Sequence, residues 1–182
     1  DADQIFASAG GDFIELDELP DGAFIDGGTG IDTLDLSRLS TGANINLSDG
    51  VVDVSGLVSQ FTEVEVIIGS SHADTIQGTS ISDTLIGGDG SDLISGGLGS
   101  DTIIGGQGDD LLLGGDGDDL FIGSAGDNTI LGGDGIDTVK FDKNLSEFSI
   151  TLNLDQSISV TDASQNTDST TLTEVEFLEF SD

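Results

Sequence analysis

The apolar residues in the middle of the chain recur every nine positions. From Gly69 to Lys140 the sequence divides without a gap into eight nonapeptides, and the eighth position of each is apolar. A helix would need apolar residues three and four apart and would tolerate few glycines. Each nonapeptide instead has a glycine-rich half before a short half rich in Thr, Leu and Ile, which predicts a tight turn followed by a very short strand. The apolar positions are Ile76, Leu85, Ile94, Ile103, Leu112, Phe121, Ile130 and Val139.

Two nonapeptides together predict one coil of 18 residues, with a strand on each side and a turn at each end. Successive coils would pair as parallel strands about 4.8 Å apart, and the apolar eighth residues would stack inside. We therefore predict an all-β fold, a right-handed parallel β-roll (a β-helix-like solenoid) of nonapeptide repeats over residues 69–140, with a C-terminal β cap.

The flanks repeat parts of the same pattern. GGTGIDTLDL at 27–36 is similar to GGDGIDTVKF at 132–141, and FTEVEVI at 61–67 is similar to LTEVEFL at 172–178. We interpret residues 1–68 as a ragged beginning of the roll with inserted strands (ANINL and VVDVS). We interpret residues 141–182 as a capping unit, because the end of a roll exposes unpaired strand edges and apolar core. The predicted cap core contains Phe141, Phe148, Phe177 and Phe180.

The charge of the chain restricts its partners. Three basic residues face 36 acidic ones, for a net charge of −33, which excludes ordinary contacts to nucleic acid or anionic lipid. Such acidity is typical of disorder, but 35% of the residues are hydrophobic, so we expect a folded chain whose acids are neutralised by a cation. The absence of Cys excludes disulfides and zinc–thiolate sites, and no apolar run is long enough to insert into a membrane.

Aspartate occupies the sixth position of seven nonapeptides, and asparagine that of the remaining one. Carboxylates one strand spacing apart repel by roughly 1 kcal/mol in water and about 3–4 kcal/mol at a surface-like dielectric, so a divalent cation between each pair would replace repulsion by attraction. Ca²⁺ suits such a site because it takes about six to eight oxygen ligands in irregular geometry. One predicted column contains Asp74, Asp92, Asp110 and Asn128, and the other contains Asp83, Asp101, Asp119 and Asp137.

The type of carboxylate separates a metal site from a solvated acidic surface. Residues 69–140 contain 13 Asp and no Glu, and all eight Glu lie elsewhere. A solvated face could use either residue, whereas a short ligand on a tight turn requires Asp. The fixed nine-residue spacing therefore favours the metal site.

These nonapeptides resemble the RTX, or haemolysin-type calcium-binding, repeat of proteins exported by bacterial type I secretion. The resemblance implies a parallel β-roll in which several Ca²⁺ ions lie between neighbouring turns, held by the sixth-position Asp and by carbonyls of positions one to four. The best-matched sites lie between Asp92 and Asp110, Asp101 and Asp119, and Asp119 and Asp137. The turn residues implied are Gly87, Gly88, Gly90, Gly96, Gly97, Gly99, Gly105, Gly106, Gly108, Gly114, Gly115, Gly117, Gly132 and Gly133.

Some positions depart from the full GGxGxD pattern. The turns at Gly69 and Gly78 lack its second and fourth glycines, so the sites that Asp74 and Asp83 share with the next coil rank lowest. The replacements are Ser70, His72, Thr79 and Ile81.

Two further positions complete the predicted metal ligands. Asn128 stands where the pattern has Asp, so we expect the site it shares with Asp110 to be weaker or to be rebuilt around Asp127. The isolated repeat at 27–36 adds Asp32 as a ligand.

Catalytic signals are weak. His72, the only histidine, lies beside Ser70, Ser71 and Asp74, but sequence neighbours rarely form a triad, and we interpret it as a surface turn residue. No H-E-x-x-H and no phosphate-binding glycine loop occur. With 36 acids, some pair of carboxylates lies at any chosen distance, so such a pair carries no weight. We therefore predict no enzyme activity.

The predicted function is a calcium-binding module that folds on Ca²⁺ outside the cell and supports the secretion, folding and stability of a larger exported protein. Two alternatives stay open: a ligand- or surface-contacting segment of a large bacterial adhesin, and an accessory domain of a secreted polysaccharide- or protein-degrading enzyme. We expect a monomeric unit, secreted or at the cell surface, whose partners are calcium ions and the rest of a larger polypeptide. Because the sequence starts at Asp1, we expect a fragment.

Overall fold

The computed structural model describes residues 4–123, 125–163 and 168–182. Within them, twenty strands form two sheets, and a single-turn 3-10 helix lies at Leu145–Glu147. The strands are β1 (Gln4–Phe6), β2 (Phe13–Glu15), β3 (Phe24–Asp26), β4 (Thr33–Asp35), β5 (Asn44–Asn46), β6 (Val51–Val54), β7 (Leu57–Thr62), β8 (Val66–Ile68), β9 (Thr75–Gln77), β10 (Thr84–Asp89), β11 (Leu93–Leu98), β12 (Thr102–Gln107), β13 (Leu111–Asp116), β14 (Leu120–Ile122), β15 (Thr129–Asp134), β16 (Thr138–Lys140), β17 (Phe148–Leu152), β18 (Ile158–Asp162), β19 (Ser169–Thr173) and β20 (Phe177–Glu179).

Successive nonapeptides alternate between the two sheets, so each strand pairs in parallel with the strand one coil further on. Leu93 pairs with Leu111, and Leu111 with Thr129, in a sheet ordered β1-β3-β7-β6-β5-β9-β11-β13-β15-β19-β18-β17. Thr84 pairs with Thr102 in a second sheet ordered β2-β4-β8-β10-β12-β14-β16-β20. These pairings confirm the predicted all-β parallel roll with a period of two nonapeptides.

The strands run further into the turns than the sequence pattern predicts. β12 includes the first two glycines of the following turn, and Gly88 pairs with Gly106. Gly88 has a φ of +117°, which L side chains rarely adopt. A β-carbon on Gly106 would lie 1.8 Å from the carbonyl oxygen of Gly88. Glycine therefore lets neighbouring turns stack backbone against backbone and keep the strand register.

The eighth positions of the nonapeptides form the centre of the core, as predicted. All eight side chains are at most 1% exposed. Burying a side chain of this size contributes about 1.5–3 kcal/mol. Each coil contributes only two such residues, so the core is a narrow double column between the sheets.

The N-terminal strands join the same two sheets with a longer spacing. Gln4 pairs with Phe24 and Phe13 with Thr33, so the first coils advance by 20 residues. β5, β6 and β7 form an antiparallel meander that lies in the larger sheet between β3 and β9. The strands predicted in ANINL and VVDVS are thus present as β5 and β6, and they widen the sheet without leaving the roll.

The C-terminal strands close the roll on both sheets. β19 and β20 add in parallel to β15 and β16, and β18 and β17 then continue the larger sheet in antiparallel fashion. The rings of Phe141, Phe148 and Phe180 pack with centroids 5.0–5.5 Å apart. The prediction that Phe177 belongs to this core is wrong: it is 58% exposed, because the register places Leu178 on the inward side.

Two adjacent leucines test the inward column. Leu112 is fully buried and Leu111 is 41% exposed. We expect Leu112→Ala to lower the free energy of unfolding by about 2–5 kcal/mol, since it removes buried methyl groups and leaves a cavity. Leu111→Ala should cost less than about 1 kcal/mol. Urea unfolding followed by circular dichroism measures both, and equal losses would contradict the assigned facing of β13.

Candidate metal centre

The sixth-position side chains lie in two columns, and all of them except Asp83 accept a hydrogen bond from the backbone of the coil before them. The N–H of Asp92 donates to Oδ1 of Asp110 at 3.0 Å, and the N–H of Asp101 donates to Oδ1 of Asp119 at 2.8 Å. All eight side chains are buried, at 3% exposure or less. The same bond joins Asp74 to Asp92 (2.7 Å), Asp83 to Asp101 (2.8 Å), Asp110 to Asn128 (2.9 Å) and Asp119 to Asp137 (2.9 Å).

Most of these carboxylates keep a second oxygen that is buried and has no hydrogen-bond partner. In the turn at 87–92, Oδ2 of Asp92 and the carbonyl oxygen of Gly105 converge beside Gly87, where a β-carbon would lie 2.2 Å from the first and 2.6 Å from the second. A carboxylate Oδ2 and a carbonyl of the next coil converge in the same way at Gly96, Gly114 and Gly132. The unpartnered oxygens belong to Asp32, Asp83, Asp92, Asp101, Asp110, Asp119 and Asp137.

Converging oxygens without a donor fit a hard cation. A buried carboxylate is costly unless charge or hydrogen bonds compensate it, and Ca²⁺ takes both carboxylate and backbone carbonyl oxygens. Among the residues that the structure describes, no three His, Cys, Asp or Glu side chains group as a metal site. An ion in these turns would therefore complete its shell with the carbonyls that the glycines bring close.

The basic side chains of the chain do not reach the columns. Arg38 pairs with Glu15 at 2.8 Å and with Asp17 at 3.2 Å. Lys140 pairs with Glu179 at 3.0 Å, and Lys143 pairs with Asp162. These are all three Lys and Arg of the sequence, so no Lys or Arg neutralises the aspartates of the two columns.

Burial in the columns raises the pKa of the carboxyl groups, because it disfavours their charged form. Burial, reinforced by the carboxylates of Asp74 and Asp110, raises the pKa of Asp92 to about 7. Burial and neighbouring carboxylates likewise raise the pKa of Asp101 and of Asp119 to about 6. Burial is also the largest cause of the raised pKa of Asp74, Asp83, Asp110 and Asp137.

The turns at Gly69 and Gly78 donate hydrogen bonds to their own aspartates, although Oδ1 of Asp83 has no partner. Oδ2 of Asp74 accepts from the Ser70 N–H at 2.6 Å, and its Oδ1 accepts from the Ser70 hydroxyl at 3.1 Å and from the Ala43 N–H at 2.6 Å. Oδ2 of Asp83 accepts from the N–H and the hydroxyl of Thr79 at 2.7 and 2.8 Å. These hydrogen bonds give a physical reason to rank the two turns lowest as metal sites.

Asn128 keeps its place in the column. Its Oδ1 accepts the N–H of Asp110 as an aspartate would. Asp127 is exposed, and its Oδ1 accepts the N–H of Ser169 at 2.9 Å. This geometry favours a weaker site at Asn128 over a site rebuilt around Asp127.

Two glutamates that are not among the predicted metal ligands extend the second column. The N–H of Asp32 donates to Oε2 of Glu65 at 3.0 Å, and the N–H of Asp137 donates to Oε2 of Glu176 at 2.8 Å. Each glutamate ends a stretch of the sequence TEVE, at residues 62–65 and 173–176, and we call these stretches the TEVE segments. The recurrence of this segment in the sequence could have indicated that the two glutamates share a role. Neither glutamate, however, lies at the sixth position of a glycine-rich nonapeptide.

His72 lies on the exposed side of its turn. Its Nδ1 is 3.4 Å from the hydroxyl of Ser71, whereas the hydroxyl of Ser70 is directed to Asp74. These neighbours therefore do not form a Ser–His–Asp relay, in agreement with its interpretation as a turn residue.

A comparison with protein families agrees with this geometry. The model of the RTX calcium-binding nonapeptide repeat, four copies long, matches residues 68–103 and 104–139. The ligand of these repeats is Ca²⁺, with several ions per array. A comparison with curated proteins finds no match.

The ion-free columns predict an unusual pH dependence. The folded pKa of Asp92, Asp101 and Asp119 lies well above the ordinary value of 3.8, so the folded state binds more protons than the unfolded state between about pH 4 and 7. In excess chelator we therefore expect urea resistance and β-structure to increase as the pH falls from about 8 to 5, and to be lost as the pH rises through about 6–7.

Circular dichroism in urea at a series of pH values measures this dependence. Asp101→Asn should weaken the dependence, whereas Asp116→Asn, an exposed change with the same loss of charge, should leave it in place. A stability of the ion-free chain that falls steadily on acidification over this range would contradict the raised pKa values.

Proposed function

Because residues 68–139 match the model of the RTX calcium-binding nonapeptide repeat, we propose that this chain is a module that folds on binding Ca²⁺ and supports the secretion, folding and stability of a larger exported polypeptide. The observation that carries the proposal is the set of buried carboxylate oxygens that have neither a hydrogen-bond donor nor a basic partner. The three best sites lie between Asp92 and Asp110, Asp101 and Asp119, and Asp119 and Asp137, with glycine carbonyls as further ligands.

Calcium would couple binding to folding because the sites exist only when coils are stacked. An ion that binds only the folded state stabilises it by RT ln(1 + [Ca²⁺]/Kd), about 2.7 kcal/mol for each site at a hundred times its Kd. In a calcium-poor cytosol the same carboxylates repel one another and oppose stacking. The chain would thus stay expanded before export and fold outside the cell.

The proposed setting follows from the same features. RTX repeats occur in secreted proteins. Among the described residues, no helix combines the length and apolar character that a membrane span requires. We place the module outside the cell or at its surface, as a monomeric, non-catalytic unit whose partners are calcium ions and the remainder of its polypeptide.

Calcium removal tests the proposal directly. In chelator at neutral pH we expect circular dichroism to show coil, and addition of Ca²⁺ to restore β-structure. Mg²⁺ should fail to substitute, because it demands near-octahedral geometry and gives up its waters reluctantly. A β-spectrum that chelation leaves unchanged would count against coupled binding and folding.

The ranking of sites gives a second test. Asp101→Ala or Asp119→Ala should raise the calcium concentration at the midpoint of folding by roughly tenfold, since each removes a charged ligand. Asp74→Ala should raise it less, because Asp74 is already hydrogen-bonded by Ser70 and Ala43. Calcium titrations followed by circular dichroism measure all three midpoints. Asp116→Ala is a control that removes an exposed carboxylate, and equal shifts for Asp74→Ala and Asp119→Ala would refute the ranking.

A further inference from the structure

The two TEVE segments make a turn that is shorter than the glycine turn but presents the same groups. Their first glutamates, Glu63 and Glu174, have φ values of +51° and +54°. This left-handed conformation costs a residue with a side chain roughly 1–2 kcal/mol. Its occurrence at equivalent places in two separate segments indicates that the resulting shape is required.

That shape delivers a backbone carbonyl to the preceding coil. The carbonyl oxygen of Glu63 lies 1.9 Å from where a β-carbon on Gly27 would be, and that of Glu174 lies 1.8 Å from the same point on Gly132. Within the roll, the carbonyl oxygen of the first glycine of the next coil occupies this place. The carbonyl oxygen of Gly105, for example, lies beside Gly87.

The second glutamate of each segment takes the place of the sixth-position aspartate. In a glycine turn the carboxylate follows the first carbonyl donor by five residues, as Asp110 follows Gly105, whereas Glu65 follows Glu63 by two. The longer glutamate side chain compensates for the shorter turn. Its Oε2 accepts the backbone N–H of the previous coil, at 3.0 Å in one segment and 2.8 Å in the other.

The facing aspartates have the feature that marks the sites of the roll. Asp32 and Asp137 are both 0% exposed, and Oδ2 of each lacks a hydrogen-bond partner. Oδ2 of Asp137 lies 2.5 Å from the β-carbon position of Gly132, beside the carbonyl of Glu174. At Asp137 a buried anionic oxygen, a carbonyl and a second carboxylate therefore meet where the TEVE turn follows a glycine turn. At Asp32 the carbonyl of Glu63 and the Asp32 β-carbon lie together beside Gly27.

We propose that Glu65 and Glu176 are calcium ligands, which complete two additional cation sites with Asp32 and Asp137 respectively. The proposal rests on the proposed calcium binding of the glycine turns and extends it beyond them. It assigns to the TEVE turn the role of a substitute half-site in the second column.

Substitution by glutamine separates a ligand from a simple hydrogen-bond acceptor. Glu176→Gln and Glu65→Gln keep the size of the side chain and an oxygen that can accept the N–H of Asp137 or Asp32, but remove the charge that a cation needs. The matched controls are Glu18→Gln and Glu179→Gln, which remove the same charge from exposed side chains outside the two columns.

Native mass spectrometry and calorimetric titration with Ca²⁺ give the number of bound ions and their affinities. We expect each ligand variant to hold one ion fewer than the unsubstituted chain, or to bind one ion roughly tenfold or more weakly. Both control variants should retain the full number. If Glu176→Gln does not fold at saturating calcium, Glu65→Gln, in the other TEVE turn, provides the count.

The outcomes distinguish this inference from the proposed function. Ligand variants that keep the ion number and affinities of the unsubstituted chain would overturn the inference and leave the calcium-dependent module intact. An equal loss in the control variants would also overturn it, because it would point to general charge rather than ligation. An unsubstituted chain that binds no calcium would overturn the proposed function itself.

Discussion

Two stacks of buried carboxylates, one strand spacing apart and without a basic side chain nearby, impose the constraint on which the roll depends. Every aspartate of the columns except Asp83 satisfies one oxygen with a backbone N–H of the preceding coil, and most of them, Asp83 included, keep one oxygen without a donor. The three Lys and Arg of the chain are engaged with other acids. A neutral column therefore requires protons or metal ions, and the calcium chemistry of the repeats meets that requirement.

The glycine turns and the core both determine how successive coils are held together. Positions that lack a side chain allow backbone carbonyls of one coil to approach the next within a distance that any β-carbon would occupy. The inward column of the repeats buries two apolar residues for each coil, and each coil contacts only its neighbours. Ions that bridge successive turns would add stabilisation at the edges of the roll, outside the apolar core between the sheets.

The flanks show how a regular solenoid accommodates irregular sequence. The meander of β5, β6 and β7 enters the larger sheet in its own plane, so the register of the core residues continues from β4 through β8 into the repeats. The TEVE turns restore the column with three residues where the repeats use six. Serine and threonine in two other turns donate hydrogen bonds to the aspartates of those turns.

The nonapeptide period by itself determined the parallel roll, its inward column and the two sets of aspartates, because a fixed period admits one way of burying the eighth residue of every nonapeptide while stacking the sixth. It also indicated strands in the inserted segment and a cap. Only the tertiary structure decided that Glu65 and Glu176 join a column, that Phe177 faces outward, and that Ser70 and Thr79 donate hydrogen bonds to their own aspartates. Those outcomes depend on how far a side chain reaches across coils and on the register at the ends of the sheets, which no local spacing records.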